Sequence, residues 1–421
     1  MNTRLEQALE AAEPETRRIF TVRFDAQESL GGPLAGVDIS VKDNIDTAGV
    51  TTTAGSAAFE SLPPAAEDAI VVKRLRSAGA CVFAKTNMTE FAYSTHGLNR
   101  RFGTPRNPRS SADAPRVAGG SSSGAGVAVA RKIGIASIGT DTAGSVRIPA
   151  ALCGTVGFKP HQERIPRAGV VPLSSSYDCV GVLADCVRTA ASVFHAIADP
   201  WMSDASSSGE VGRPYRILIP AELDPVLDSE ASEETRRSFS SALDRLSQHG
   251  RFEFVRDSAT CYRGVLELTP DGGIVGPEAY AFHKPFLERF GALYEPFTLR
   301  RLALGERCSA QRYAALLARR RELIAESRVQ LREFDAVMHL TCPMVAPLLA
   351  DFTSIEATMD ISMQLLRYTL AANALDLASI SIPCSSALAA SRLPVGLCLE
   401  TTAADEELLH IAAAAERALS G

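Results

Sequence analysis

Residues 119–152 read GGSSSGAGVAVARKIGIASIGTDTAGSVRIPAAL, and this stretch decides the predicted fold. Its first turn, rich in glycine and serine, leads into a helical pattern at 124–132, and residues 133–139 then have the character of a short buried strand. A second tight turn at 140–145 leads into another helical pattern at 146–152. Strand and helix alternate within this stretch, which is typical of an α/β fold.

The same alternation extends outward over the rest of the chain. Residues 37–42 (VDISVK) alternate apolar and polar side chains with the period of a strand, and residues 67–78 have helical spacing that Gly79 ends. A short apolar strand at 80–84 then delivers Lys85. Further helices are predicted at 4–12 (interrupted by Pro14), 186–198, 233–248, 309–332 and 404–419, further strands at 215–219, 335–340, 377–382 and 395–399, and a polar surface linker at 200–213.

The composition excludes several classes of protein. Of the 421 residues, 46% are hydrophobic and 22% are charged, which is typical of a folded globular chain. The formal net charge of −6 argues against a nucleic-acid or anionic-membrane partner, because either would require a concentrated basic surface. No apolar run approaches 18 residues and the first residues lack an apolar signal-peptide region, so we expect a cytoplasmic protein. The nine cysteines contain no C-x-x-C pair, which predicts buried thiols and no metal site.

Lysine is rare in this chain, since only six of its 43 basic residues are lysines. One of them, Lys42, ends the predicted strand 37–42. Hydrolysis of an amide needs an activated nucleophile, a base and donors for the oxyanion. None of the seven histidines lies in an obvious catalytic turn, which leaves lysine as the candidate base. A lysine accepts a proton only when it is neutral, and burial lowers its ordinary pKa of about 10.4 toward neutrality.

Three segments carry a resemblance to a known family: GVDISVKD at 36–43, GGSSSG at 119–124 and GTDTAGSVRIPA at 139–150. They resemble the amidase signature family of serine hydrolases, and the similarity extends over nearly the whole chain through 87–91, 154–160 and 393–397. The resemblance implies one domain, 1–421, in which a large mixed β-sheet is flanked by helices on both faces. Within it we expect an N-terminal helical segment (1–30), a catalytic signature core (36–190), a variable substrate-shaping region (200–360) and a C-terminal return to the core (361–421).

The resemblance also implies catalytic roles for three residues. Lys42 matches the basic lysine of the family, Ser121 matches its bridging serine, which follows a cis peptide bond, and Ser145 matches its nucleophile. The implied mechanism is a proton relay from Ser145 through Ser121 to neutral Lys42 while Ser145 attacks the amide carbonyl. The implied oxyanion donors are the backbone N–H groups of Thr142, Ala143, Gly144 and Ser145.

Three further residues are implied to support this site. Ser122 is expected to donate or accept a hydrogen bond with Lys42. Asp141 and Arg147 are expected to brace the nucleophile turn as an ion pair, with recognition of a substrate carboxylate as the alternative for Arg147.

The function implied by the resemblance is that of an amidohydrolase without cofactor or metal. The implied substrate is a small-molecule carboxamide or a urea-like amide, and the implied leaving group is ammonia or an amine. A homodimer is common among similar proteins. Two alternatives stay open: a glutaminase-type amidotransferase subunit that passes ammonia to a partner, and a non-catalytic member of the same fold. Ile148 argues against the first, because those subunits commonly have glutamine there. A G-x-S-x-G match at 120–124 would make Ser122 the nucleophile of an α/β-hydrolase, but no buried strand precedes it.

Overall fold

The computed structural model describes residues 3–13, 15–25, 31–200, 213–384 and 393–420. Pro14 and almost all of the predicted linker at 200–213 therefore lie outside the described residues. The described residues form one mixed sheet of eleven strands in the order β1-β3-β2-β4-β6-β5-β10-β11-β9-β7-β8. The strands are β1 (Phe20–Arg23), β2 (Asp38–Lys42), β3 (Cys81–Thr86), β4 (Ala136–Asp141), β5 (Val156–Lys159), β6 (Cys179–Ala184), β7 (Tyr215–Pro220), β8 (Phe252–Asp257), β9 (Ala336–Leu340), β10 (Ala378–Pro383) and β11 (Gly396–Thr401).

Helices connect these strands and cover the sheet. They are α1 (Thr3–Ala11), α2 (Thr16–Ile19), α3 (Ile70–Ser77), α4 (Ser123–Ala130), α5 (Arg147–Cys153), α6 (Val187–Ile197), α7 (Asp224–Ser229), α8 (Glu233–Gln248), α9 (Thr260–Gly264), α10 (Val275–Phe290), α11 (Pro296–Glu306), α12 (Ala310–Gln330), α13 (Ile355–Leu365), α14 (Leu370–Ala374) and α15 (Asp405–Ser420).

The helices lie on both faces of the sheet. Along β6, Val182 packs in the main hydrophobic core together with residues of α6 and α15, such as Phe194. The next residue, Leu183, packs in a separate cluster with Ala125 of α4 and Ala150 of α5. Successive side chains of a strand point to opposite faces, so α6 and α15 cover one face while α4 and α5 cover the other. The expected architecture, a large mixed sheet flanked by helices on both faces, is confirmed.

Parallel pairing brings three strand ends to one edge of the sheet. β2 pairs in parallel with β3 on one side and with β4 on the other. The carboxyl ends of these strands therefore lie side by side and carry Lys42, Thr86 and Asp141. In open α/β sheets this is the edge at which ligands bind.

Most of the elements predicted around this edge are confirmed, with two shifts. The strand predicted at 133–139 begins at Ala136, because Lys132 and Gly134 have positive φ values of 60° and 77° and turn the chain. The strand predicted at 80–84 extends to Thr86, so Lys85 lies within it. The described helices are too short or too polar to cross a bilayer, and the longest, α12 with 21 residues, includes the arginines 319–321.

Candidate active site

Lys42 lies at the carboxyl end of β2 and is completely buried. Its Nζ atom lies 2.6 Å from Ser121 Oγ and 2.8 Å from Thr140 Oγ1, with the Thr140 carbonyl oxygen at 3.4 Å. The adjacent parallel strand β4 supplies Thr140, so strand pairing fixes the amine against two hydroxyl groups. The structure thus brings together two of the three residues predicted to form the relay.

Burial lowers the pKa of Lys42 from its ordinary value to about 7, although the nearby carboxylates of Asp141 and Asp178 act in the opposite direction. Removal of an ammonium group from water disfavours its charged form. A substantial fraction of the Lys42 amine is therefore neutral near pH 7, which is the state that can accept a proton.

Ser121 is held at the start of a buried turn before α4. The peptide bond between Gly120 and Ser121 is cis, as the resemblance implied. The Gly120 N–H donates to the Thr95 carbonyl at 2.7 Å, and the Ser121 carbonyl accepts from the Thr89 N–H at 3.1 Å. A Cβ atom on Gly120 would lie 2.7 Å from Thr89 Oγ1, so glycine is needed for this close approach.

The segment around Ser121 is hydrogen-bonded to the segment around Ser145. The Ser122 N–H donates to the Ser145 carbonyl at 3.2 Å. Ser145 itself is almost fully buried and borders a cavity. Among the described residues, Lys42 forms a hydrogen bond with Ser121, but the Ser145 hydroxyl forms none.

The turn that carries Ser145 is organised by the Asp141 carboxylate at the end of β4. This carboxylate accepts from the Gly144 N–H at 2.7 Å and from the Val146 N–H at 3.0 Å. Arg147 also donates to it, from Nη2 at 2.9 Å and from Nε at 3.1 Å. Burial raises the pKa of Asp141, but the Arg147 guanidinium outweighs burial and holds that pKa below its usual range. Asp141 therefore stays ionised and fixes the turn.

Two expectations, one for Gly144 and one for Ser122, are wrong. The Gly144 N–H donates to Asp141 and is thus not free to act as an oxyanion donor. Ser122 does not contact the lysine amine among the described hydrogen bonds; its hydroxyl lies 3.5 Å from the Thr140 carbonyl instead, because the Thr140 side chain takes the second position beside Lys42. Thr140 lies within the segment 139–150, but no role was predicted for it, because its contact with Lys42 depends on the pairing of β2 with β4.

Arg147 is fully buried and does not border the cavity among its described lining residues. Besides Asp141, its guanidinium binds the side chains of Asn373 at 2.7 Å and Ser379 at 3.1 Å, and it lies 3.6 Å from Glu400. These partners leave its donors engaged inside the protein. The geometry therefore fits the bracing role and not the alternative of substrate binding.

A cavity of ≈ 370 Å³ opens beside the turn that carries Ser145. Thr142, Ala143 and Ser145 form one wall of it. The other walls are mainly apolar and come from segments without recognisable motifs, with Leu268, Val275, Phe297, Met359, Leu366 and Leu370 among the lining residues. A cavity of this size suits a small molecule.

A second group of potential ligand atoms lies outside the cavity. One potential ligand atom each of His339, Cys398 and Glu400 lies within 4.8 Å of the other two, and all three residues are buried. However, the Glu400 carboxylate already lies 3.6 Å from the Arg147 guanidinium and accepts from Tyr262 at 2.8 Å. A divalent cation would have to share this site with an arginine, so the cluster fits a charge-balanced core network better than a metal site.

Comparison with known proteins identifies the family. The model of the Amidase family matches residues 2–409. The chain belongs to this family. The amidase-family chain is 32% identical over 372 residues to the 2-amino-5-chloromuconic acid deaminase of Comamonas testosteroni, covering 87% of the chain and 78% of that enzyme. Its fold matches a crystal structure of an amidase, with a TM-score of 0.84 and 31% identity, covering 99% of this chain and 95% of the other.

A further match of the amidase-family chain covers less than half of each protein. Over 191 residues it is 46% identical to a Glutamyl-tRNA(Gln) amidotransferase subunit of Symbiobacterium thermophilum, which is 44% of this chain and 38% of the other. The resemblance predicted from 36–43, 119–124 and 139–150 is confirmed by the family match. This protein is therefore an enzyme of the amidase class, whose members hydrolyse carbon–nitrogen bonds.

Proposed function

We propose that this protein hydrolyses a small-molecule carboxamide, or a urea-like amide, through an acyl-enzyme on Ser145. The observation that carries the proposal is the buried amine of Lys42, which lies 2.6 Å from the Ser121 hydroxyl. Ser145 borders a cavity of ≈ 370 Å³ and belongs to a segment hydrogen-bonded to that of Ser121. This arrangement supports a base, a bridging hydroxyl and a nucleophile in sequence.

In the proposed mechanism the proton of Ser145 passes to Ser121 while the Ser121 proton passes to neutral Lys42. The Ser145 Oγ atom then forms a bond to the carbonyl carbon, and the carbonyl oxygen becomes an oxyanion. The proton returns through Ser121 to the amide nitrogen, the carbon–nitrogen bond breaks, and ammonia or an amine leaves. Water, deprotonated by the same relay, cleaves the ester and regenerates Ser145.

We assign the oxyanion to the backbone N–H groups of Thr142, Ala143 and Ser145. None of these three N–H groups donates a hydrogen bond among the described residues, in contrast to that of Gly144. The three residues also border the cavity. Donors that are oriented before the reaction stabilise the developing charge without reorganisation.

Labelling with a fluorophosphonate, followed by intact-mass measurement, tests the nucleophile. We expect one adduct on the unmodified protein, none on Ser145→Ala, and normal labelling of Ser123→Ala, a buried serine outside the relay. We expect Lys42→Ala to lower turnover by about 10²–10⁴-fold, because the general base is lost, while circular dichroism shows a folded protein. An adduct on Ser145→Ala would overturn the assignment. Absence of both labelling and hydrolysis would favour a non-catalytic member of the fold.

A second candidate is a glutaminase-type subunit that passes ammonia to a partner chain. It is favoured by the 46% identity to an amidotransferase subunit over 191 residues. Ile148, at a position where such subunits commonly have glutamine, argues against it. Glutaminase activity, or copurification with a partner chain, would favour this candidate, whereas hydrolysis of other amides by the isolated chain would favour the first.

We also propose that the region 200–360 shapes the substrate. Lining residues of the cavity between 265 and 304, such as Leu268, Val275 and Phe297, come from this region. The nucleophile turn, in contrast, belongs to the region 36–190. Other lining residues, such as Tyr177 and Leu370, come from the regions 36–190 and 361–421, so the region 200–360 would shape the substrate together with these parts of the chain.

A further inference from the structure

Arg301, on α11, places a cation in the wall of the cavity that Ser145 borders. Its guanidinium carbon lies 4.3 Å from the centre of the Tyr93 ring, and the side chain is half-buried. Among the described lining residues it is the single arginine, and no lysine or histidine is present. The nearby His96 adds no charge, because burial, together with Arg301, lowers its pKa to about 3.

Arg301 has no counter-ion among the described residues. No carboxylate lies within 4.0 Å of its guanidinium nitrogens, whereas the buried Arg147 and Arg164 are paired with Asp141 and Asp405. Asp271 also borders the cavity, but it is exposed and forms no ion pair with Arg301. The Arg301 side chain forms a hydrogen bond with the uncharged Tyr93 hydroxyl. A guanidinium has five N–H donors in a planar fork, so it can also bind an anion supplied by a ligand.

The rest of the wall restricts what that ligand can be. Leu268, Val275, Leu366 and Leu370 give the cavity a mainly apolar surface. One guanidinium balances one negative charge, and its planar donors match the two oxygens of a carboxylate. A doubly charged phosphate would leave one charge unbalanced on an apolar surface.

We propose that Arg301 binds a carboxylate of the substrate, so that the preferred substrates are amides that carry a carboxylate at the far end of a short apolar body. Monoamides of dicarboxylic acids are the simplest members of this class. The proposal rests on the proposed function, because it places the amide of the same molecule at Ser145. Arg301 is then a substrate-binding residue that determines specificity.

A matched pair of variants tests this inference. Arg301→Gln removes the charge from the cavity, and Arg300→Gln removes the same charge from the adjacent, exposed position of α11. Each protein is assayed for ammonia release from succinamic, glutaramic, adipamic and pimelamic acids and from the corresponding neutral diamides. We expect the original protein to prefer the acid at one or more chain lengths. We expect Arg301→Gln to lower the ratio of kcat/KM for acid over diamide by about 10- to 100-fold, and Arg300→Gln to leave it unchanged.

The outcomes separate this inference from the proposed function. Equal kcat/KM for acid and diamide at all chain lengths, or an equal effect of the two variants, would overturn it. If none of these amides is hydrolysed, the binding of the same acids and diamides is measured by calorimetry. An acid that binds the original protein at least tenfold more tightly than Arg301→Gln would support the inference. Equal affinities of the two proteins for every acid would overturn it. If fluorophosphonate does not label the unmodified protein, the proposed function is refuted, but the inference about Arg301 is not, because the calorimetric comparison does not depend on catalysis.

Discussion

At the scale of single residues, the proposed chemistry depends on the protonation state of Lys42. Burial lowers the pKa of its amine to about 7, against the opposing effect of Asp141 and Asp178. Below that pH the amine is protonated and cannot accept the proton of Ser121. We therefore expect kcat/KM to rise about tenfold per pH unit below pH 7 and to level off above it, measured from pH 5 to 9.

The same pKa has a consequence for stability, which provides a control. Because the pKa is lower in the folded than in the unfolded protein, the burial penalty of the charged amine applies below about pH 7 and disappears as the pH rises toward 10.5. We expect Lys42→Met to remove this part of the pH dependence in denaturant titrations. A kcat/KM profile that is flat between pH 5 and 7 would contradict a titrating lysine base.

The roles of single residues were predictable only in part. The family resemblance implied the pairing of Lys42 with Ser121, and the structure places the Lys42 amine 2.6 Å from the Ser121 hydroxyl. Gly144 was assigned wrongly, because which N–H groups of the turn stay free depends on where the Asp141 carboxylate points. The sequence does not indicate which of several neighbouring backbone N–H groups is already hydrogen-bonded.

At the scale of elements, the turn between β4 and α5 requires glycine at one position and tolerates a side chain at its neighbour. Gly144 has a φ of 122°, and a Cβ atom there would overlap the hydroxyl of Thr369 and lie 2.7 Å from Ile148 Cδ1. Ala143 is not among the residues with positive φ. We expect Gly144→Ala to lower kcat at least tenfold and the free energy of unfolding by about 1–3 kcal/mol, and Ala143→Gly to keep most of both. Comparable kinetics and denaturant midpoints for the two variants would contradict this explanation.

The elements at the sheet edge that carries Lys42 were more predictable than those that form the cavity. The strand β2 follows a clear alternation of apolar and polar residues. In contrast, α10 contains Pro285, and a proline within a helical pattern argues for a break in the helix. The helix α10, which contributes Val275 to the cavity, was therefore not predicted, whereas the strand that carries Lys42 was predicted.

At the scale of the whole molecule, one buried network connects the turn that carries Ser145 to the far part of the sheet. Arg147 of α5 binds Asp141 at the end of β4, Asn373 of α14 and Ser379 of β10, and lies 3.6 Å from Glu400 of β11. The C-terminal partners lie more than 200 residues away from Arg147 in the sequence. The family resemblance could predict the pairing of Arg147 with Asp141, but not the partners from the C-terminal elements, because these depend on the strand order.

The position of this network predicts that loss of Arg147 destabilises the whole fold. Arg147→Met would leave the Asp141 and Glu400 carboxylates buried without their guanidinium, at a cost of about 3–5 kcal/mol. Arg237→Met removes an exposed ion pair with Glu233 and is the matched control, for which we expect at most about 1 kcal/mol. Unfolding in urea is followed by circular dichroism and by fluorophosphonate labelling. For Arg147→Met we expect both signals to be lost at the same urea concentration, and this midpoint to be lower than that of the unmodified protein. If labelling is lost while the fold keeps its original midpoint, Arg147 braces only the turn, and the proposed connection across the sheet is wrong.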